Sequence, residues 1–116
     1  MAGFPNLFFM VGPNSGPRHG STTRRIEAQA RHVVAQLRLM RRLGARTVEV
    51  RREVQRSFSD WIDGRMADTV WQTGGCRSGY QDPRSGRNTG LWPGTVVAFR
   101  RRTHRIRAED HLMRRA

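Results

Sequence analysis

Residues 4 to 11, with the sequence FPNLFFMV, are the feature that most constrains the fold of this chain. The run is apolar, rich in aromatic residues and without a helical period, which favours a buried β-strand, such as a strand of a parallel sheet. The following segment, GPNSGPRHGS, is rich in Gly, Pro, Asn and Ser and predicts a loop. The chain is therefore expected to begin with a strand and a glycine- and proline-rich loop.

An amphipathic helix is predicted after this loop. Ser21 is a candidate N-cap, with Thr22 and Thr23 as alternatives, and Gly44 is a candidate stop. Apolar residues recur at spacings of four and three and form one apolar stripe along the helix: Ile26, Ala30, Val33, Leu37 and Met40.

Strand and helix alternate in the rest of the chain. Residues 46 to 50 predict a short strand, and a second helix is predicted from about residue 53 to residue 68, although Gly64 should cost it about 1 kcal/mol relative to alanine. Further strands are predicted at residues 70 to 73 and 95 to 99, and the polar tail at 104 to 116 is expected to fray. The predicted class is α/β, a strand–helix–strand–helix order followed by a C-terminal hairpin, divided at 1–69, 70–103 and 104–116.

The charge is strongly positive. The formal net charge is +13, and all 22 basic residues are arginine. Such a charge attracts nucleic acid, an anionic membrane or an acidic partner. The absence of lysine weakens the nucleic-acid interpretation, and a solvated basic face is favoured. The run Arg100 to Arg102, with Arg105 and Arg107, is likewise interpreted as a solvated strand end rather than a phosphate site.

Cysteine and histidine give little support to a reactive or metal site. The single cysteine, Cys76, excludes an internal disulfide framework, and the four histidines have no metal-ligand spacing. An activated thiol at Cys76 would need a base and an orienting group, so a structural role is favoured. With no apolar run of spanning length and no secretory signal, a cytoplasmic location is expected.

The order strand, glycine-rich loop and helix start, at residues 6 to 26, suits an electron-rich ligand. Unpaired amides aligned with the helix dipole favour an anion or a polarised oxygen. The loop is neither a phosphate-binding loop with Gly-Lys-Ser/Thr nor the dinucleotide motif G-x-G-x-x-G. By spacing alone, a plain connecting loop is an equal alternative.

Three stretches in one order carry a resemblance to a known family: FPNLFFMVGPNSG, IEAQARHV and TVWQTGGCRSGYQDPRSGRNTGLWPG. Together they resemble the C-terminal part of flavin-dependent monooxygenases of the Baeyer–Villiger type, which use FAD, NADPH and O₂ to oxidise carbonyl or related organic substrates. The resemblance runs from about Phe4 to about Asp110.

The resemblance implies site residues on two elements. The loop residues Gly12, Pro13, Asn14 and Ser15 would approach the flavin, where the helix start would stabilise negative charge on the reduced ring. Residues 71 to 94 would form a hairpin near the cofactor and the substrate. There the family has Ser-Trp-Tyr and this chain has Ser78-Gly79-Tyr80. Losing the indole puts contact with NADPH at that point in doubt.

The upstream motifs of the family, G-x-G-x-x-G and an arginine that serves the reactive flavin, are not in this sequence. The expectation is therefore an incomplete C-terminal portion of an FAD/NAD(P)-binding, Rossmann-like fold, with no catalytic residue of its own. It would be inactive alone, would not retain FAD or NADPH unaided, and would be complemented by a chain carrying the nucleotide-binding domains. The alternative is a small basic nucleic-acid-binding module.

Overall fold

The computed structural model describes residues 1 to 16, 21 to 67, 69 and 81 to 115. Its elements in chain order are helix α1 (Thr22–Leu43), strand β1 (Thr47–Val50), helix α2 (Arg52–Met66), helix α3 (Val96–His104), a 3-10 turn (Ala108–Asp110) and strand β2 (His111–Arg114). Helix and strand are thus both present, as the α/β prediction requires. The Rossmann-like portion of that prediction and the domain divisions stay predictions.

Helix α1 lies where the sequence predicts it. Ser21 has the extended backbone of an N-cap residue, although its side chain makes no capping hydrogen bond. Gly44 ends the helix in the left-handed region with φ 63°, where glycine has no steric penalty. The Gly44 amide donates to Arg41 O, and the Ala45 amide donates to Met40 O at 2.8 Å. The end of α1 is therefore determined by local hydrogen bonds.

The face of α1 that is buried differs from the predicted stripe. Of that stripe, Met40 is buried, whereas Ile26 and Leu37 are 38% and 50% exposed. The buried positions of α1 also include Arg25 and Gln36. The reason is that loop 12–16 and the end of α3 present backbone carbonyls to α1, and carbonyls require polar partners.

Strands β1 and β2 form an antiparallel pair in which Val48 lies opposite Met113. The expectation that the tail frays is wrong for residues 111 to 114, because they complete this pair. The free edge of β1 is occupied by Asn6. The Asn6 amide donates to Val48 O at 2.9 Å, and the Val48 amide donates to Asn6 Oδ1 at 3.0 Å. One asparagine thus takes the place of a third strand at that edge.

The apolar run at residues 4 to 11 is not a strand. Its backbone turns at Asn6 and Val11, which have φ values of 61° and 54°, and most of its large side chains are exposed. An extended strand needs a hydrogen-bonding neighbour along its length. Among the described residues of this run, Asn6 alone bonds to β1. The prediction of a buried strand at residues 4 to 11, which was made from their apolar character, was therefore wrong.

Residues 95 to 99 form the start of α3 rather than a strand. Thr95 has an extended backbone, and its Oγ1 accepts a hydrogen bond from the Ala98 amide at 3.1 Å. This N-cap, together with the helix-favouring arginines that follow, outweighs the β-branched pair Val96 and Val97. The strand predicted at residues 70 to 73 lies outside the described residues.

The buried apolar core is small. Ala28, Ile62, Trp92 and Phe99 form one cluster, and Trp61 packs against its edge. The Cα radius of gyration is 15.3 Å, whereas a compact domain of about 100 residues has about 13 Å. The chain is elongated, with extents of 50 × 28 × 18 Å, and it leaves much apolar surface uncovered.

Candidate functional site

The loop at residues 12 to 16 is held against the segment at residues 88 to 92, so two of the quoted motifs meet in space. The Asn14 amide donates to Thr89 O at 2.8 Å. Its side-chain Nδ2 donates to Asn88 O at 2.8 Å and to Leu91 O at 3.1 Å, contacts that join residues 74 and 77 positions apart. Asn14 has φ 53°, a conformation that asparagine tolerates better than most residues.

Gly16 brings the two segments to their closest approach. Its amide donates to Gly90 O at 2.8 Å, and its carbonyl accepts from the Trp92 amide at 3.1 Å. These bonds form a parallel bridge to Leu91. A Cβ atom at Gly16 would lie 2.6 Å from Gly90 O, so a side chain here would push the segments apart.

Ser15 braces the loop from within. It is buried, and its Oγ donates to Gly12 O at 2.6 Å. With Asn14 directed at residues 88 to 91, the polar side chains of the loop are engaged by the protein itself. Pro13 is exposed. The loop therefore offers backbone and apolar surface, rather than polar side chains, to a ligand.

The start of α1 lies close after this loop in the chain. Because the Ser21 side chain makes no capping hydrogen bond, it leaves the first-turn amides of α1 to other partners. The electrostatic argument for an electron-rich ligand at this end of α1 stands as a prediction.

Arg25 locks α1 to the loop. It is 1% exposed, and its Nη1 donates to Ser15 O at 3.2 Å and to Gly16 O at 3.0 Å. Its guanidinium carbon lies 5.6 Å from the centre of the Phe99 ring. Burial lowers the pKa of the Arg25 guanidinium, yet arginine remains charged at neutral pH. A buried guanidinium therefore provides the hydrogen-bond donor for the carbonyls of Ser15 and Gly16.

Asn88 organises the other side of the junction. Its Oδ1 accepts hydrogen bonds from the amides of Gly90, at 3.3 Å, and Leu91, at 3.1 Å. The residue is 2% exposed, and in the described part of the chain its Nδ2 has no hydrogen-bond partner. A buried donor without an acceptor is unfavourable. This atom is suited to meet an acceptor that belongs to a ligand or to another segment.

Trp92 anchors the junction in the core. Its ring centre lies 5.2 Å from that of Phe99, edge to face, and 5.6 Å from that of Trp61. Its Nε1 donates to Thr95 O at 3.1 Å, which satisfies the indole N–H. The segment that holds the loop is therefore fixed by the largest buried side chain of the core.

The arginine run after Phe99 is exposed, as predicted, but Arg100 to Arg102 belong to a helix and not to the end of a strand. It lies on α3, and the Arg102 guanidinium carbon is 4.4 Å from the centre of the Trp61 ring. Arg65 approaches the same ring at 5.5 Å. Arginine over an aromatic face is stabilising. At least part of the positive charge therefore serves internal packing.

A tight turn at residues 82 to 87 precedes the junction. Asp82 Oδ1 accepts from the Arg84 amide at 3.0 Å, and Oδ2 accepts from Ser85 Oγ at 2.8 Å. The hydrogen bond from the Arg84 amide, and next the hydrogen bond from the Ser85 hydroxyl, lower the pKa of the Asp82 carboxyl. Arg87 forms an ion pair with Asp63 of α2, with Nε to Oδ2 at 3.0 Å. The turn is thus tied to α2 before the chain enters the junction.

His32 connects α1 to the end of α3. Its Nδ1 donates to Thr103 O at 2.8 Å, and Gln36 Nε2 donates to its Nε2 at 2.8 Å. These partners require the neutral ring with the proton on Nδ1. Burial lowers the pKa of His32, the Thr103 carbonyl opposes this change, and the charge of His111 adds to it.

The remaining predicted site residues cannot be compared with this junction. Ser78, Gly79 and Tyr80, together with Cys76, lie outside the described residues. Within the described ranges, no cluster of His, Cys, Asp and Glu is suited to a metal ion. The same residues contain no helix that is long and apolar enough to cross a membrane.

Sequence reasoning missed two residues of the junction. Asn88 lies inside a quoted motif, and the spacing Asn-x-Gly-Leu is compatible with an asparagine that caps its own turn. Arg25 has no comparable signal, because a helical arginine is normally exposed and only the contact with the loop buries it.

Comparison with known proteins gives a consistent result. The chain is 43% identical over 110 residues to a protein from Pseudomonas aeruginosa named Baeyer-Villiger monooxygenase, covering 95% of this chain and 21% of that relative. A protein of the same name from Streptomyces coelicolor is 44% identical over 106 residues, covering 90% of this chain and 20% of that relative. An FAD-binding monooxygenase from Aspergillus terreus is 31% identical over 111 residues, covering 93% of this chain and 20% of that relative.

No family model matches the chain, and no solved structure gives a significant match. None of these three relatives is named as a nucleic-acid-binding protein, so that alternative gains no support. The chain spans about one fifth of the length of the curated relatives it matches. The resemblance found in the sequence is confirmed: over nearly its whole length, this chain is similar to a segment of proteins named Baeyer-Villiger monooxygenase or FAD-binding monooxygenase.

Proposed function

We propose that this chain is the C-terminal portion of a flavin-dependent monooxygenase that oxidises carbonyl or related organic substrates with FAD, NADPH and O₂. Residues Gly12 to Ser15 form part of the wall of the flavin site. The chain is inactive alone and works with the nucleotide-binding portion of such an enzyme, on the same or a separate polypeptide. Its location is the cytoplasm.

The observation that carries this proposal is the junction between loop 12–16 and residues 88–92. The two segments are distant in sequence and belong to two of the motifs that carry the family resemblance. Hydrogen bonds from Asn14 and Gly16 join them. A loop held at fixed geometry on both sides suits a rigid planar ligand, because preorganisation lowers the entropy lost on binding.

The residues at the junction fit the flavin ring of FAD. Exposed Pro13 and half-buried Gly12 give a surface without a long side chain, and buried Asn88 has an amide donor to offer to an acceptor. When bound, FAD supplies the redox chemistry with O₂. The chain's own residues position the ring and exclude water. Because the sequence has no G-x-G-x-x-G, the phosphates of FAD and NADPH are held by the nucleotide-binding portion.

The NADPH side is assigned to Ser78, Gly79 and Tyr80 by the family resemblance alone. With glycine in place of the family's tryptophan, this element contributes less surface and no indole donor to the nicotinamide cofactor. We therefore expect a higher KM for NADPH than in a Gly79→Trp variant of the complete enzyme.

A chimera tests the proposal. The matched 110-residue segment of the Pseudomonas aeruginosa relative is replaced by this chain, and flavin is measured by visible absorbance after desalting. We expect stoichiometric FAD and NADPH oxidation stimulated by a ketone, whereas the isolated chain retains no flavin. A stoichiometrically yellow isolated chain with NADPH oxidase activity would refute the incompleteness, and a folded chimera without flavin would refute the role in the flavin site.

Two asparagines provide a matched pair for this chimera. Asn14 and Asn6 both have positive φ, and the side chains of both bond to the backbone of a distant segment. Asn14→Ala should weaken FAD retention by about thirtyfold, which corresponds to two lost hydrogen bonds of about 1 kcal/mol each. Asn6→Ala should lower stability by a similar amount and leave FAD retention unchanged. Equal effects on flavin would mean that the loop acts only through stability.

A further inference from the structure

We propose that six exposed apolar residues form the docking surface for the nucleotide-binding portion of the monooxygenase. This surface, called the outer face, is formed by Phe9, Met10, Val11, Ile26, Val34 and Leu37. The inference rests on the proposed function, since it assigns the surface through which this chain joins the rest of the enzyme.

The outer face combines residues of two segments that lie side by side. Ile26, Val34 and Leu37 follow the helical repeat and lie on one side of α1. The Val11 amide donates to Gln29 Oε1 at 2.9 Å, and Gln29 lies on α1 between the turns of Ile26 and Val33. This bond sets the end of the apolar run 4–11 against α1. The exposed apolar residues at the end of this run therefore lie beside the first turns of α1, where Ile26 is exposed.

The exposure of these residues is unusual for a protein surface. Each of the six has 38% to 50% of its surface exposed. Single exposed apolar residues are normal, but contiguous patches mark sites of interaction. The opposite side of α1 is already engaged, because Arg25 and His32 bond to the loop and to α3. The outer face is thus the side of α1 that is left for a partner.

The charge around the outer face argues against one class of partner, a second copy of this chain. Arg31 and Arg38 are exposed on α1 beside the apolar stripe, and the chain has a net charge of +13. Pairing two copies through this face would bring like charges together, which opposes a homodimer. An apolar surface with an acidic rim fits instead. In the relatives, a segment similar to this chain is covalently part of a polypeptide about five times longer, and that remainder is the occupant we assign.

Accessibility of an introduced thiol tests this assignment. Val34→Cys lies on the outer face, and Val97→Cys on α3 is a matched control, because Val97 is 59% exposed and lies on another helix. Each is labelled with a maleimide in the isolated chain and in the chimera with the Pseudomonas aeruginosa relative. Site-specific labelling is read by peptide mass spectrometry.

We expect both thiols to react rapidly in the isolated chain. In the chimera, the rate at Val34→Cys should fall by about tenfold or more, because burial restricts access to locally opened states, while Val97→Cys reacts as before. Equal labelling at the two positions in the chimera would overturn the proposal. So would a chimera that fails to melt cooperatively, because a correct docking face should restore the fold.

Three further outcomes distinguish the docking surface from a homodimer interface and from the role in the flavin site. Sedimentation equilibrium of the isolated chain should show a monomer, and a homodimer that Val34→Glu disrupts would assign the outer face to a second copy and reject the proposal. Protection of Val34→Cys in a chimera without FAD would support the docking surface and reject the flavin role. Full labelling in a chimera that retains FAD would reject only the docking surface.

Discussion

Helix α1 differs from a typical surface helix, because it buries polar side chains beside Ala28 and Met40 and leaves part of its apolar stripe exposed. On its inner face, buried Arg25 and Gln36 and half-buried His32 contact the rest of the chain. On its outer face, apolar residues such as Val34 and Leu37 are exposed. Amphipathic helices usually bury the apolar face and expose the polar one.

The difference between the faces shows that the apolar stripe of a helix does not by itself determine which side packs against the rest of the chain. The inner face is selected by hydrogen bonds to the backbone carbonyls of Ser15, Gly16 and Thr103. Such bonds are directional and need donors at fixed positions. The apolar face has no such partner within the described residues and is left for a larger assembly. Substitutions on the two faces should therefore affect the stability of the isolated chain differently.

The largest effect is expected where the inner face meets the core. Trp92→Ala should lower the free energy of unfolding by about 3–5 kcal/mol, because a fully buried indole is lost and a cavity remains. Trp92 is 1% exposed and packs against Phe99. Urea denaturation followed by far-UV circular dichroism measures the change. Val97→Ala is the control, and a cost below that of the control would mean that this core does not hold the chain together.

Arg25→Met removes the polar anchor of the inner face while keeping its length. We expect a loss of about 2–3 kcal/mol, because the carbonyls of Ser15 and Gly16 lose a charged donor. The neighbouring Arg24→Met, at an exposed position, should change stability by less than about 0.5 kcal/mol. The same urea titration compares them. Equal losses of stability in the two variants would contradict the claim that the Arg25 hydrogen bonds decide which side of α1 is buried.

The pH dependence of stability tests the effect of burial on His32. Burial lowers its pKa below the ordinary 6.5, so the native chain binds fewer protons than the unfolded chain between the two pKa values. The contribution to stability is therefore fully present above pH 6.5 and is lost as the pH falls through the lower folded pKa. Urea midpoints at several pH values should show this slope in the wild type and in His104→Gln, but not in His32→Gln. An NMR titration of His32 at or above its ordinary pKa would contradict it.

The smallest effect is expected on the outer face. Leu37→Gln should change the stability of the isolated chain by less than about 0.5 kcal/mol, because Leu37 is half exposed. Met40→Gln, at a buried position on the same helix, should cost about 2 kcal/mol. Thermal melts distinguish the two. A large cost for Leu37→Gln would mean that the outer face is already covered in the isolated chain.

The site was only partly predictable from the sequence. The glycine-rich loop at residues 12 to 16 is recognisable by composition, and its partner at 88 to 92 is recognisable by the family motif. That these segments touch depends on Asn14 and Gly16 reaching across more than 70 residues of chain. Arg25 became part of the junction only because the loop carbonyls lie beside it. No local sequence pattern predicts a contact between a helical arginine and the carbonyls of a loop.

The sequence by itself determined where α1, α2 and β1 lie and where α1 ends, because caps, periodicity and β-branching act over a few residues. Tertiary structure decided that residues 4 to 11 do not form a strand, that residues 95 to 99 begin a helix, and that residues 111 to 114 pair with β1. It also decided which face of α1 is buried. A strand and a buried face each require a partner distant in the chain, and the free energy of that partnership is absent from any local window.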